Sequence, residues 1–199
     1  QAGDTSELEA AAGPVDDVMD EYEADVCVVG GGGAGLAAAI SAAQAGARVV
    51  VMEKCGILGG STNVSEGALN AVDPERQEKQ GIEDSVETFY EATLEGGHNE
   101  GTPELVHFLT DNALDSVHWM ESVGVRFKDE VGSATGSLGQ RSHYPATPYG
   151  NAYIRAFQRY IEDTGATVQI VDETAAQTLA ASLTLGTVLW GVDWVQVVG

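Results

Sequence analysis

Four consecutive glycines, Gly30 to Gly33, stand inside the run Asp25-Val-Cys-Val-Val-Gly-Gly-Gly-Gly-Ala-Gly-Leu-Ala-Ala-Ala-Ile40. Few architectures accept such a run. It reads as a short buried strand, a glycine turn and the first turns of an alanine-rich helix. Gly30, Gly32 and Gly35 fit G-x-G-x-x-G, and Glu53 closes a second apolar run, Val49-Val-Val-Met52. Each position has a physical reason. Gly30 serves the tight turn, Gly32 the backbone approach to a pyrophosphate, and Gly35 the close packing of helix on strand. A diphosphate can rest on the free N–H groups and positive dipole end of the helix. Glu53 can accept hydrogen bonds from a ribose hydroxyl. The glycine pattern alone is weak evidence. Framed by strand, helix, second strand and terminal acid, it predicts dinucleotide binding rather than an ordinary glycine-rich turn.

Charge narrows the partners. Thirty-one acidic residues against nine basic ones give a formal charge of −22, and the only lysines are Lys54, Lys79 and Lys128. Such a field disfavours nucleic acid and anionic membranes. It fits salt adaptation, export or an ordinary acidic surface, and leaves the compartment open. No apolar run reaches membrane-spanning length. Two cysteines make no disulfide framework. Cys27 reads as strand packing, and Cys55 as a spectator thiol at a strand end. His98, His107, His118 and His143 are scattered, without metal-ligand spacing.

Residues 1–23 are acidic, contain Gly13-Pro14, and read as a flexible leader or linker. Residues 24–53 form the strand–helix–strand unit, with Gly46 ending the helix. Asp73-Pro74 and Gly81 bracket a polar loop. Val86, Phe89, Tyr90 and Leu94 give residues 84–95 a helical stripe. Thr102-Pro103 opens another helix, with Leu105, Leu109, Ala113, Val117, Met120 and Val123 on its core face and Gly124 at its end. Residues 126–150, rich in glycine and proline, read as a surface loop. Ile154, Phe157 and Ile161 mark a further helix, Thr167–Val171 a strand, and Ala176–Val198 a hairpin turning near Gly186.

After Glu53-Lys54 comes Gly59-Gly-Ser-Thr-Asn-Val-Ser-Glu-Gly-Ala-Leu-Asn-Ala71, a small-residue loop where a nicotinamide-binding domain would usually begin another helix. Together with the glycine turn, this segment resembles the fumarate reductase and succinate dehydrogenase flavoprotein family, which includes soluble fumarate reductases, urocanate reductase and 3-ketosteroid dehydrogenases. The resemblance covers residues 24 to 198, and only the N-terminal portion of the family. It implies an α/β fold: a partial glutathione-reductase-like Rossmann FAD-binding domain, with a parallel sheet, flanking helices and a β-hairpin or meander. Gly30, Gly32, Ala34, Gly35, Glu53, Lys54, Gly60, Ser61, Thr62 and Gly67 would be FAD contacts. The backbone near Ala175 would touch the adenine edge. Membrane-bound members attach FAD through a histidine in this loop. Ser61 stands at that position here, which implies noncovalent FAD.

The resemblance further implies hydride transfer between flavin N5 and a carbon of an activated C=C or C–C bond of a small-molecule substrate. Nothing here resembles the family's downstream Ala-Thr-Gly-Gly segment, capping domain or substrate-binding stretches. Residues 24–199 are therefore expected to be the N-terminal portion of the FAD domain, completed by a C-terminal half, a partner chain or an electron donor, with the catalytic residues elsewhere. The rivals are a ketosteroid dehydrogenase or amine oxidase, and an electron-transfer subunit without substrate chemistry. Soluble fumarate reductases carry a stretch similar to Arg141-Ser-His-Tyr-Pro145. Arg141 and His143 thus have two readings, at the flavin or substrate edge or as a loop-stabilising pair, and neither is assigned a catalytic role.

Overall fold

A computed structural model of the chain describes residues 22–136, 139–164, 168–171 and 187–190. Most of the expected leader, Ala175 and most of the expected terminal hairpin lie outside them. The chain forms two compact units, residues 1–60 with 161–199, and residues 61–160.

In the first unit, β1 (Val26–Val29), α1 (Gly33–Gln44) and β2 (Val49–Met52) follow one another as the apolar pattern predicts. With β5 (Val168–Val171) and β6 (Thr187–Trp190) the strands form one parallel sheet in the order β5-β2-β1-β6. Val49 and Val51 pack with Val28 against Ala39 of α1, while Val50 and Met52 face Cys27, Ala24 and Tyr22. Both faces of β2 are covered, so its sequence is an unbroken apolar run instead of an alternation. Gly46, at φ +90°, follows the last turn of α1, where a left-handed residue ends a helix cheaply. Thr187–Trp190, within the expected hairpin, is a strand and pairs in parallel with β1, Val26 opposite Thr187. The rest of that hairpin lies outside the described residues.

The second unit holds most of a 3-10 turn, Gly60–Val64, followed by β3 (Leu69–Asn70), α2 (Pro74–Lys79), α3 (Val86–Gly96), α4 (Pro103–Ser122) and β4 (Ser142–His143). Strands β3 and β4 pair antiparallel, Leu69 opposite His143. Most of α5 (Asn151–Thr164) completes the unit, with Tyr153, Ile154 and Phe157 buried. The expected polar loop after Asp73 contains α2. Asp73 caps it by accepting from the Arg76 amide, and Pro74 takes the first helical position. In α4 the predicted core face divides: Ala113 and Val117 are buried, but Leu105 and Leu109 are exposed, beside Phe108.

The expected surface loop 126–150 is also corrected. Phe127, Val131, Arg141, Ser142, His143 and Pro145 are buried. Burial of polar residues requires partners, and these have them. Arg141 grips Asp84 with two parallel bonds of 2.7 Å, and its guanidinium lies 4.8 Å from the Phe89 ring centre. The carboxylate of Asp73 lies 2.6 Å from Arg76 Nη1 and 3.1 Å from His143 Nε2. Arg76 then reaches Glu121 at 2.7 Å. Among the described residues no buried side-chain nitrogen or oxygen lacks a partner.

Burial alone would raise the Asp73 carboxyl, but hydrogen bonds from Arg76 and His143 outweigh it and hold the group at about 2. A carboxyl lower in the folded than in the unfolded state stabilises the fold above the unfolded value, and that contribution fades as pH falls through the folded one. Here it amounts to about 2 kcal/mol, present at neutral pH and lost between roughly pH 4 and pH 2. Asp73→Asn should therefore lower the melting temperature at pH 7, with the gap to wild type closing towards pH 2. Melting curves across that range test it, and a gap independent of pH would contradict it.

Candidate functional site

The turn between β1 and α1 is built from backbone. Gly30 sits at φ +101°, a conformation only glycine adopts cheaply, while its amide donates to the Met52 carbonyl at 2.7 Å. Gly32 is the N-cap of α1 without a side-chain capping bond, and the helix has no acid in its first turn. Its leading N–H groups have no partners within the helix. Gly35 lies so close to the turn that a methyl there would overlap the Gly30 carbonyl oxygen. Positions 30 and 32 are open by contrast: a methyl on Gly30 would meet nothing within 4 Å, and on Gly32 only the Gly59 carbonyl, at 4.0 Å. Ala34 is exposed in the first turn of α1. The arrangement is a helix N-terminus without a side-chain cap and with room above it, suited to a diphosphate.

Glu53, at the end of β2, is 8% exposed. Its Oε2 accepts from the Gly31 amide at 2.7 Å and its Oε1 from the Cys55 amide at 2.8 Å. Each carboxylate oxygen keeps a second lone pair for an incoming hydroxyl. The following segment returns to the turn, since Gly59 donates to the Gly31 carbonyl and bridges Gly32. A methyl on Gly60 would approach the Gly32 α-carbon at 4.0 Å. Gly30, Gly32, Ala34, Gly35, Glu53 and Gly60 thus surround one turn, and Lys54 follows Glu53 with its side chain exposed.

In the second unit, Ser61 and Thr62 lie in the 3-10 turn. Gly67, at φ +81°, has a structural role there. Its carbonyl accepts from the Tyr153 hydroxyl, and a side chain would press on the Gly150 amide. Gly150, which no motif marks, is constrained too, since a methyl on it would overlap the Thr62 carbonyl. Arg141 and His143 are bound to Asp84 and Asp73 and buried, the arrangement of the loop-stabilising reading. Ala175 lies outside the described residues. Two groups that hold Glu53, the amides of Gly31 and Cys55, are absent from the sequence expectations. Gly31 is visible in the sequence as the surplus glycine of the run, but the Cys55 amide leaves no signal, because almost any residue supplies one.

Residues 25–192 match the family model described as FAD binding domain. The chain is 41% identical over 146 residues to "Fumarate reductase (cytochrome)" of Shewanella frigidimarina, an alignment covering 72% of this chain and 24% of that protein. It is 46% identical over 98 residues to "Urocanate reductase" of Eggerthella lenta, covering 49% of this chain and 16% of that protein. Among solved structures, the open conformation of a flavocytochrome c3 fumarate reductase superposes with a TM-score of 0.69 at 30% identity, over 85% of this chain and 30% of that one. The chain belongs to the FAD-binding domain family, within the fumarate reductase and succinate dehydrogenase flavoproteins. It spans about a quarter or less of the length of these curated relatives.

The residues present fit FAD. A helix N-terminus without a side-chain cap, two glycines whose missing side chains leave open space, and an acid with unused lone pairs are the features a diphosphate and a ribose require. Gly35→Ala should force α1 away from the Gly30 carbonyl and lower FAD retention at least about tenfold. The flavin-to-protein absorbance ratio of the purified variant measures this, and unchanged occupancy would contradict it.

Proposed function

We propose that the protein containing this chain is an FAD-dependent oxidoreductase of the fumarate-reductase type, acting on a C=C or C–C bond of a small unsaturated carboxylate. The observation that carries this is the 41% identity to a fumarate reductase over a segment that includes the glycine turn. The similarity to a urocanate reductase supports the same substrate class. When bound, FAD supplies the site that accepts or donates the hydride. The role of this chain is to hold it. The amides at the start of α1 take the diphosphate, with Gly30, Gly32, Ala34 and Gly35 shaping the approach. Glu53 takes the ribose hydroxyls, and Lys54, Gly60, Ser61, Thr62, Gly67 and the backbone near Ala175 line the rest of the cofactor's path.

Two further readings belong to this proposal. FAD is noncovalent, because Ser61 stands where covalent members carry histidine. Residues 24–199 form the first portion of a larger FAD domain, and substrate-binding groups come from the rest of the protein or from a partner chain. The short span relative to the curated relatives supports this.

Acid precipitation of the full-length protein should leave the yellow cofactor in the supernatant, and flavin held in the pellet would contradict noncovalent binding. Glu53→Gln removes the charge-assisted acceptor, worth roughly 1.5–3 kcal/mol, and should weaken FAD binding on the order of tenfold to a hundredfold. Fluorescence titration with FAD reads the change; an unaltered dissociation constant would release Glu53 from the ribose. For the reaction itself, the full-length protein should oxidise a reduced dye in the presence of fumarate or urocanate. Residues 1–199 alone should not. Turnover by the 199 residues alone would place substrate chemistry within them, and turnover only with steroid enones would replace the substrate class.

A further inference from the structure

We propose that Gly150 and Tyr153, at the start of α5, are positioning residues for the segment 62–67, acting on the flavin half of the cofactor through that segment and not by contact. The proposal rests on the FAD reading above, in which Ser61, Thr62 and Gly67 line the cofactor's path. The 3-10 turn Gly60–Val64 buries none of its residues, so core packing does little to place it. Its continuation is fastened to another element instead. The Gly150 amide donates to the Ser65 carbonyl at 3.0 Å. The hydroxyl of buried Tyr153 donates to the Gly67 carbonyl. Ser65 in turn donates from Oγ to the Thr62 carbonyl at 2.9 Å. Both ends of the segment are thereby tied to the first turn of α5.

The approach leaves no room for a side chain from either direction. A methyl on Gly150 would overlap the Thr62 carbonyl oxygen and Ser65 Oγ. A methyl on Gly67 would lie 2.8 Å from the Gly150 amide nitrogen and 3.0 Å from the Tyr149 carbonyl carbon. The Thr62, Tyr149 and Gly150 atoms are backbone, which cannot swing aside as a side-chain tip can. Gly150 is not among the glycines with positive φ, so its restriction is space, whereas Gly67 at φ +81° is bound by conformation as well. Tyr149 holds φ +73°, a costly conformation for a bulky residue, and its ring is left 63% exposed. Burial of that ring does not offset the strain. The strained backbone persists because its surroundings over-determine it, here through the bond and close contacts of Gly150. The clasp thus gives a role to a glycine and a tyrosine that no motif marks.

The test measures dissociation constants for FAD and for ADP on the apo form of the full-length protein, by flavin-fluorescence quenching and calorimetry, below the melting temperature of every variant. ADP carries only the half of the cofactor assigned to Glu53 and the α1 amides. Tyr153→Phe removes a single oxygen and should weaken FAD binding about tenfold, while ADP stays within about twofold of wild type. Gly150→Ala should weaken FAD binding at least as much, again sparing ADP. Both changes act on one segment, so the double variant should fall short of the product of the two losses. Phe157→Leu opens space in the buried core under the same helix; it should lower the melting temperature but leave both constants within about twofold. If Gly150→Ala does not fold, Tyr153→Phe decides the question. An FAD constant unchanged by these variants, ADP weakened as much as FAD, or an equal loss in Phe157→Leu would overturn the clasp and leave the FAD reading standing. A wild-type protein that takes up no FAD would overturn both.

Discussion

The near-contact between Gly35 and the Gly30 carbonyl sets the geometry of the first unit. Because no side chain separates them, α1 lies against the end of β1, and its N-terminus opens directly over the turn. Ala39, Ala42 and Ala43 continue the same close packing along the sheet, where larger residues would lift the helix. The amide groups that can receive a diphosphate are therefore aimed by packing density. No basic side chain is needed to aim them.

That economy suits a chain with a formal charge of −22. Its bases are few, and the structure commits several of them to acids: Arg48 to Asp25, Arg76 to Asp73 and Glu121, Arg141 to Asp84. The buried pairs Arg141–Asp84 and His143–Asp73 fasten residues far apart in sequence, and each would be expensive to break singly. Attraction for an anionic cofactor falls instead to oriented peptide dipoles, whose positive ends act at short range inside a repulsive overall field.

How much of this is legible in the sequence follows from the range of the interactions. The strand–turn–helix–strand unit can be read directly, because apolar spacing, Gly30, Gly46 and Glu53 are local signals. Helices α3, α4 and α5 are legible for the same reason. The segment 126–150 reads wrongly as a surface loop because glycine and proline mark irregular backbone, and irregular backbone is usually exposed. Its burial depends on Asp73 and Asp84, more than fifty positions away, which no local pattern reveals. The short helix at Pro74 escapes the reading although Asp73-Pro74 offers the same cap-then-proline order that marks the helix at Thr102-Pro103. The stripe of α4 is right as periodicity and half wrong as burial, since Leu105 and Leu109 lie on the predicted face yet stand exposed. In the site, the fingerprint positions are legible, but the grip on Glu53 is not, because it runs through the amides of Gly31 and Cys55.

The strand order β5-β2-β1-β6 carries a consequence for how the chain is made. The central pair, β1 and β2, is translated before the second unit, joined by α1 as a local unit. One flank of β1 can be paired only when Thr187–Trp190 arrives, after the whole of the second unit has been synthesised. Until then an apolar strand keeps an open hydrogen-bonding edge, the kind of surface that recruits other nascent chains. Dense acidity gives such an intermediate long-range repulsion from its own copies. With a formal charge of −22, copies of such an intermediate repel one another while that edge is still open.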